Sequence, residues 1–177
     1  MKTIDVEGSV LDVGGSQNPI KGRTKSWDVD DYKTLDLETP HKGEKPDIVA
    51  DIQYNFALIL ARRDVIFCIE VSEYWFDPLS ALKNINQMLK RDGLLYISFH
   101  TLYGLHNPKG EDCLRYTKNA IIKLFNEAEL KIVDMIPRTI SDEGRVWLER
   151  FYRVEGMRLD YQHPETWDIG YLVKATK

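Results

Sequence analysis

Between Asp64 and Phe99 the chain runs from a strongly apolar strand, through an N-capped amphipathic helix, into a second apolar strand. That order constrains the fold more than any other feature. Successive strands joined by a helix pair in parallel through a right-handed crossover, so helices lie on the faces of an open sheet. The first strand is Asp64-Val65-Ile66-Phe67-Cys68-Ile69-Glu70. Asp77 is the N-cap and Pro78 the first helical residue. Leu79, Leu82, Ile85, Met88 and Leu89 then recur at three- and four-residue spacing, which makes one apolar face. Arg91-Asp92-Gly93 ends the helix, and Leu94 to Phe99 is the next strand.

The same grammar extends in both directions. Gly8 to Val13 reads as a buried strand running into the turn Gly14-Gly15-Ser16. Gln17 to Tyr32 reads as a loop, Tyr32 to Leu37 as a second strand, and Asp47 to Asp51 as a third. A helix or buried turn is expected over Ile52 to Arg63. Thr117 caps a helix over Lys118 to Ala128, Leu130 to Ile136 is a strand, Ser141 to Gly156 is helical, and Gly170 to Ala175 is the last strand. The expectation is an α/β, doubly wound, mostly parallel seven-stranded sheet. The last two strands form an antiparallel edge hairpin, and residues 1–177 make a single domain. Ligands of such sheets bind beyond the carboxyl ends of the strands.

Composition removes several classes. The 177 residues carry a net charge of −4, which disfavours a nucleic-acid partner, since that needs a basic face. No apolar run reaches the ~20 residues of a membrane span, so no membrane partner is expected. Cys68 and Cys113 stand apart, with neither a zinc knuckle nor a disulfide framework around them. The polar, acidic start is no signal peptide, which points to a cytoplasmic location. The histidines His41, His100, His106 and His163 are scattered, and no metal site is expected. The chain contains no P-loop and no G-x-S-x-G elbow, and its glycine turn leads into Pro19 rather than opening a helix as G-x-G-x-x-G does.

The residues at the strand ends carry the chemistry. Gly14 and Gly15 let a ligand approach the backbone closely. Asp36, at the end of the second strand, stands where an acidic residue grips ribose hydroxyls, with Glu38 as its neighbour. Asp51 ends the third strand. The segments "IEVSEYWFDP" from Ile69 and "LKRDGLLYIS" from Leu89 complete the series. In their order and spacing these motifs resemble class I S-adenosylmethionine-dependent methyltransferases, from about Gly8 to Thr176. The two segments resemble that superfamily's E-V-L-E-H-x-x-D-P and L-K-P-G-G-x-L-x-I-S. "HNPKGEDCLRYT", from His106 to Thr117, is similar to the H-x-x-P-x-D-x-x-R-[FY]-T signature of a type 11-like subgroup.

The resemblance implies S-adenosylmethionine as cofactor, with S-adenosylhomocysteine as product. It implies that Asp12, Gly14, Gly15 and Ser16 cradle the methionine part, that Asp36 binds the ribose, and that Asp51 and Ile52 border the adenine. Cys68 and Glu70 then lie beside the cofactor. Glu73, Tyr74, Tyr103, Asp112 and Arg115 belong to the substrate loop, with Asp112 and Arg115 close enough to pair. His100 and His106 are the candidate general bases for a hydroxyl acceptor. The implied partner is a small-molecule or carbohydrate substrate, since the subgroup accompanies glycan synthesis, with a homodimer as a further expectation. The third glycine of the family turn is absent, Tyr74 stands where His is usual, and Asp92 replaces a glycine. The chain begins almost at the first strand, so the expected fold lacks N-terminal cap helices. A methyltransferase-like module that binds the cofactor weakly and serves a partner is the alternative.

Overall fold

The computed structural model describes residues 1–37, 45–54, 62–106, 110–146, 150 and 168–177. Seven strands form one sheet: β1 (Asp5–Val13), β2 (Ser26–Asp36), β3 (Ile48–Val49), β4 (Arg63–Cys68), β5 (Leu89–His100), β6 (Lys131–Thr139) and β7 (Asp168–Thr176). Their order is β3-β2-β1-β4-β5-β7-β6. The first five pair in parallel, and β7 lies antiparallel between β5 and β6. This is the expected doubly wound sheet with an antiparallel edge. The order reverses between β1 and β4, so the carboxyl ends of β1, β2, β3 and β4 surround one crevice.

Two helices cover one face, α1 (Pro78–Met88) and α2 (Lys118–Glu127). Each begins at its expected cap: Asp77 accepts from the Ser80 amide at 3.0 Å and Thr117 from the Ala120 amide at 3.3 Å. The buried faces of α1 and α2 (Ala81, Leu82, Ile85, Ile121, Phe125) join Leu11, Ile66, Leu95 and Ile97 in the main core. The opposite face carries a smaller cluster, Val6, Val10, Val65, Phe67, Tyr96 and Ile20. Among the described residues no helix is long and apolar enough to cross a membrane.

Some boundaries differ from the sequence expectation. β2 starts at Ser26, six residues earlier than Tyr32. Trp27 and Val29 pack on the smaller cluster while Asp28 and Asp30 stay exposed, so the strand hides behind an acidic alternation. A register shift between Gly8 and Ser9 leaves Asp30 as the extra residue of a bulge, and Gly8 meets it with φ +77°. β5 starts at Leu89, before the Arg91-Asp92-Gly93 turn, which is a bulge inside the strand with Asp92 at φ +63°. Residues 142–146 are helical. Most of the segment expected over Ile52 to Arg63, and most of that over 141–156, lies outside the described residues.

Candidate functional site

The crevice begins at the turn after β1. Gly14 has φ +73°, and a Cβ there would stand 2.3 Å from Cγ2 of Val71. A Cβ on Gly15 would stand 2.3 Å from Cγ of Asp12. Gly14 is thus required by its conformation, and both glycines by the close approach of their neighbours. The Gly14 amide donates to Leu35 O at 2.8 Å, which locks the turn onto the end of β2.

One cavity gathers Gly14, Asp36, Asp51, Ile52, Glu70 and Tyr74. Sequence reasoning had placed these residues on the ends of four different strands and on the loop after β4. Asp36 Oδ2 accepts from Ser16 Oγ at 2.6 Å, and Oδ1 accepts from the Leu37 amide at 2.9 Å. Ser16 thus steadies the Asp36 carboxylate. Glu38 lies outside the described residues. Asp51 accepts from the backbone and side-chain nitrogens of Gln53, whose Oε1 accepts from the Phe76 and Asp77 amides. Gln53, which the sequence did not single out, ties the end of β3 to the start of α1. Trp75 also lines this cavity, and its indole nitrogen is buried without a hydrogen-bond partner among the described residues. A glycine cradle, a strand-end carboxylate and a buried orphan donor fit a nucleoside ligand with a polar tail.

Three expected site residues do other work. Asp12 is 3% exposed, and its Oδ2 accepts from the Ile20 amide and the Tyr32 hydroxyl, both at 2.7 Å. Burial raises its pKa. Its role is to pin the loop after the glycine turn, and with Gly15, Asn18, Arg23 and His106 it lines a second, adjoining cavity of about 420 Å³. Cys68 points into the main core with no exposed surface, and burial pushes its thiol well above the usual range. Tyr103 stacks on the His100 ring with centroids 4.4 Å apart.

The polar centre lies between β4, β5 and the loop after β5. Glu70 has φ +60°, an uncommon conformation for a non-glycine residue that clusters at functional sites. Its Oε1 accepts from Arg138 at 2.8 Å and from Ser98 Oγ at 3.1 Å. Its Oε2 stands 2.8 Å from Nε2 of His100. Burial alone would raise the Glu70 pKa, but His100, Arg138 and Ser98 together hold it at about 2. Glu73, expected in the substrate loop, is fully buried. Its Oε1 is 2.8 Å from Nδ1 of His106 and 3.4 Å from Nε2 of His100, and its Oε2 has no partner.

His100 is 1% exposed, and burial would lower its pKa, yet the two carboxylates outweigh that and hold it at about 9. At neutral pH it keeps its proton, so it is poorly suited to act as a base. It also lies outside the lining of both cavities. His106 lines both of them. The pairing of His106 with Glu73 spans 33 positions, and no local sequence signal announces it.

The loop carrying His106 is fixed by Arg115 and Asp112. Arg115 grips Asp112 through two nitrogens at 2.5 and 2.7 Å and donates to the carbonyls of Tyr103, Gly104 and Leu114. Asp112 accepts from the His106 amide at 2.6 Å. Neither side chain lines either of these two cavities; both hold the loop.

The sheet order, the glycine turn and the strand-end carboxylates define a class I methyltransferase fold. Solved structures share it. One is an S-adenosylmethionine-dependent methyltransferase from Mesorhizobium loti, 14% identical, with a TM-score of 0.63 over 99% of this chain and 94% of that one. A second, from Clostridium acetobutylicum, is 14% identical with a TM-score of 0.58 over 97% and 84%. A third, from Archaeoglobus fulgidus, is 13% identical with a TM-score of 0.61 over 97% and 86%. No curated protein matches the sequence. Residues 25–97, from just before β2 into β5, match the family described as Methyltransferase domain. The chain thus has the class I methyltransferase fold, and its residues 25–97 are similar to the methyltransferase domain family.

Proposed function

We propose that the protein methylates a hydroxyl of a small molecule or glycan, with His106 taking the acceptor's proton. The observation that carries this reading is the position of His106. Its ring stands where the two cavities meet, and its Nδ1 is held 2.8 Å from the buried Glu73 carboxylate. A carboxylate at Nδ1 selects the tautomer that carries its hydrogen there, which leaves the Nε2 lone pair free to accept a proton. S-adenosylmethionine, when bound, supplies the methyl group as a sulfonium donor for in-line displacement. Asp36 and the glycine turn hold the nucleoside and its tail, and the adjoining cavity receives the acceptor. Transfer then depends on alignment of the two ligands. The Asp112–Arg115 clamp supplies that alignment on the His106 side.

The test is a labelled-cofactor transfer assay against sugar nucleotides, oligosaccharides and small phenols. His106→Ala should lower kcat by about 10²–10⁴-fold, the usual contribution of a general base, while S-adenosylhomocysteine binding stays within a few-fold of wild type. Imidazole should restore part of the rate. Undiminished transfer by His106→Ala would sink the base assignment.

A further inference from the structure

Glu70, Glu73 and His100 come from the loop after β4 and the end of β5, and each brings one ligand atom to within 4.8 Å of the others. Nε2 of His100 stands 2.8 Å from Glu70 Oε2 and 3.4 Å from Glu73 Oε1. The Glu70 Oε2–His100 Nε2 spacing is about that of two donor atoms bound at ~2.0–2.2 Å around one small cation. Two further observations point to a missing ligand. Glu73 is fully buried, yet its Oε2 has no partner. His100 is 1% exposed, and its Nδ1 has no hydrogen-bond partner among the described residues. A buried carboxylate oxygen and a buried imidazole left unsatisfied are both costly. The surroundings also hold the ligands in place. Arg138 and Ser98 occupy Oε1 of Glu70 and leave Oε2 turned to His100. His106 on Glu73 Oε1 is the outer partner that ligating carboxylates usually have.

We propose that Glu70, Glu73 and His100 bind one divalent cation of the Zn²⁺ or Mn²⁺ type. Mixed carboxylate and imidazole ligands suit these ions, whereas Mg²⁺ favours oxygen alone. Binding displaces the hydrogen from Nε2 of His100, since imidazole binds a cation only through a bare ring nitrogen. Three protein ligands leave a coordination position open, the pattern of catalytic rather than structural sites. Glu70 is the one ligand with exposed surface, at 33% of its side chain, and it lines both cavities. Glu70 thus links the ion site to the cavity that receives the acceptor. Resting on the methyltransferase reading, this defines the acceptor as one that presents an oxygen ligand beside His106.

The experiment is calorimetric titration of chelator-stripped protein with Zn²⁺, Mn²⁺ and Mg²⁺ separately, with thermal unfolding read alongside. One equivalent of Zn²⁺ or Mn²⁺ should bind the wild type and raise its unfolding midpoint, and Mg²⁺ should bind more weakly. Glu70→Gln, on a side chain 33% exposed, should fold normally and bind the ion at least ~100-fold more weakly, since even outer-shell changes cost ~10–100-fold. His100→Asn gives a second test at the buried ligand. Absence of binding at millimolar metal would overturn the proposal, and so would equal affinity in wild type and folded Glu70→Gln. S-adenosylhomocysteine binding by the metal-free wild type is scored separately. If the cofactor binds and the metal does not, the ion site alone fails; if the metal binds and the cofactor does not, the methyltransferase reading fails.

Discussion

Asp36 shows how a single side chain can test the cofactor grip. Both oxygens already hold a neighbour, Ser16 Oγ and the Leu37 amide, but an ionised carboxylate has about four acceptor positions, so it can still receive ribose hydroxyls. Asp36→Asn turns one acceptor oxygen into a donor and leaves a hydroxyl unpaired, at about 1.5–3 kcal/mol for a bond to a charged group. S-adenosylhomocysteine should bind tenfold to hundredfold more weakly, roughly the affinity equivalent of that loss, with little change in the unfolding midpoint. Unaltered affinity, measured by calorimetry, would move the ribose grip elsewhere. That these side chains line one cavity was legible in the sequence, because a strand end fixes where its side chains converge. Gly14, Asp36, Asp51, Ile52 and Glu70 were all read from motif and position. The surroundings of His100 were not legible, because its two carboxylate neighbours come from the next loop over. No residue near it in sequence reveals that it is buried and charged.

Among the elements, the loop between β5 and α2 most needs tertiary support, since its described residues, which carry His106, form neither helix nor strand. Its clamp is the Asp112–Arg115 pair, which also ties three loop carbonyls to one guanidinium. Arg115, the largest influence on Asp112, holds its carboxyl at about 2 against burial, with the His106 amide adding to it; the ordinary value is 3.8. A carboxylate depressed in the folded state contributes stability above its unfolded pKa, and that contribution is lost as pH falls through the folded one. Asp112→Asn should therefore unfold at a lower temperature than wild type at pH 5–7, and the gap should close between about pH 4 and pH 2. A gap that is the same at pH 6 and pH 2.5 would show that the Asp112 charge does not hold the loop. The elements themselves were legible wherever a cap or a period-three apolar face marked them, as in α1 and α2. β2 was shortened in the sequence reading because its acidic residues alternate with Trp27 and Val29, and that period-two pattern was masked by the charge. The early start of β5 was hidden by a bulge that resembles a helix stop.

For the molecule as a whole, the two ends of the sheet differ in how firmly the described structure holds them. The centre is sealed by α1 and α2. Phe125 of α2 has no exposed surface and meets Phe99 of β5 edge-on at 6.0 Å, and Tyr116 meets Phe99 from the other side at 4.9 Å. Among the described residues, β6 carries Val133 and Ile136 half exposed, at 52% and 51%. Substitutions at the two places should therefore behave differently. Phe125→Ala opens a cavity among rigid aromatic neighbours and should cost about 3–5 kcal/mol. In a chain of this size that lowers the unfolding midpoint by about 6–20 °C. Ile136→Ala removes side-chain surface that water already reaches and should stay within about 0.5 kcal/mol. Both are read by thermal unfolding at two protein concentrations tenfold apart. A small Phe125 effect would mean that α2 does not seal the core as drawn. A large Ile136 effect that grows with protein concentration would mean that a second copy covers the β6 edge, because only an associating surface makes stability depend on concentration.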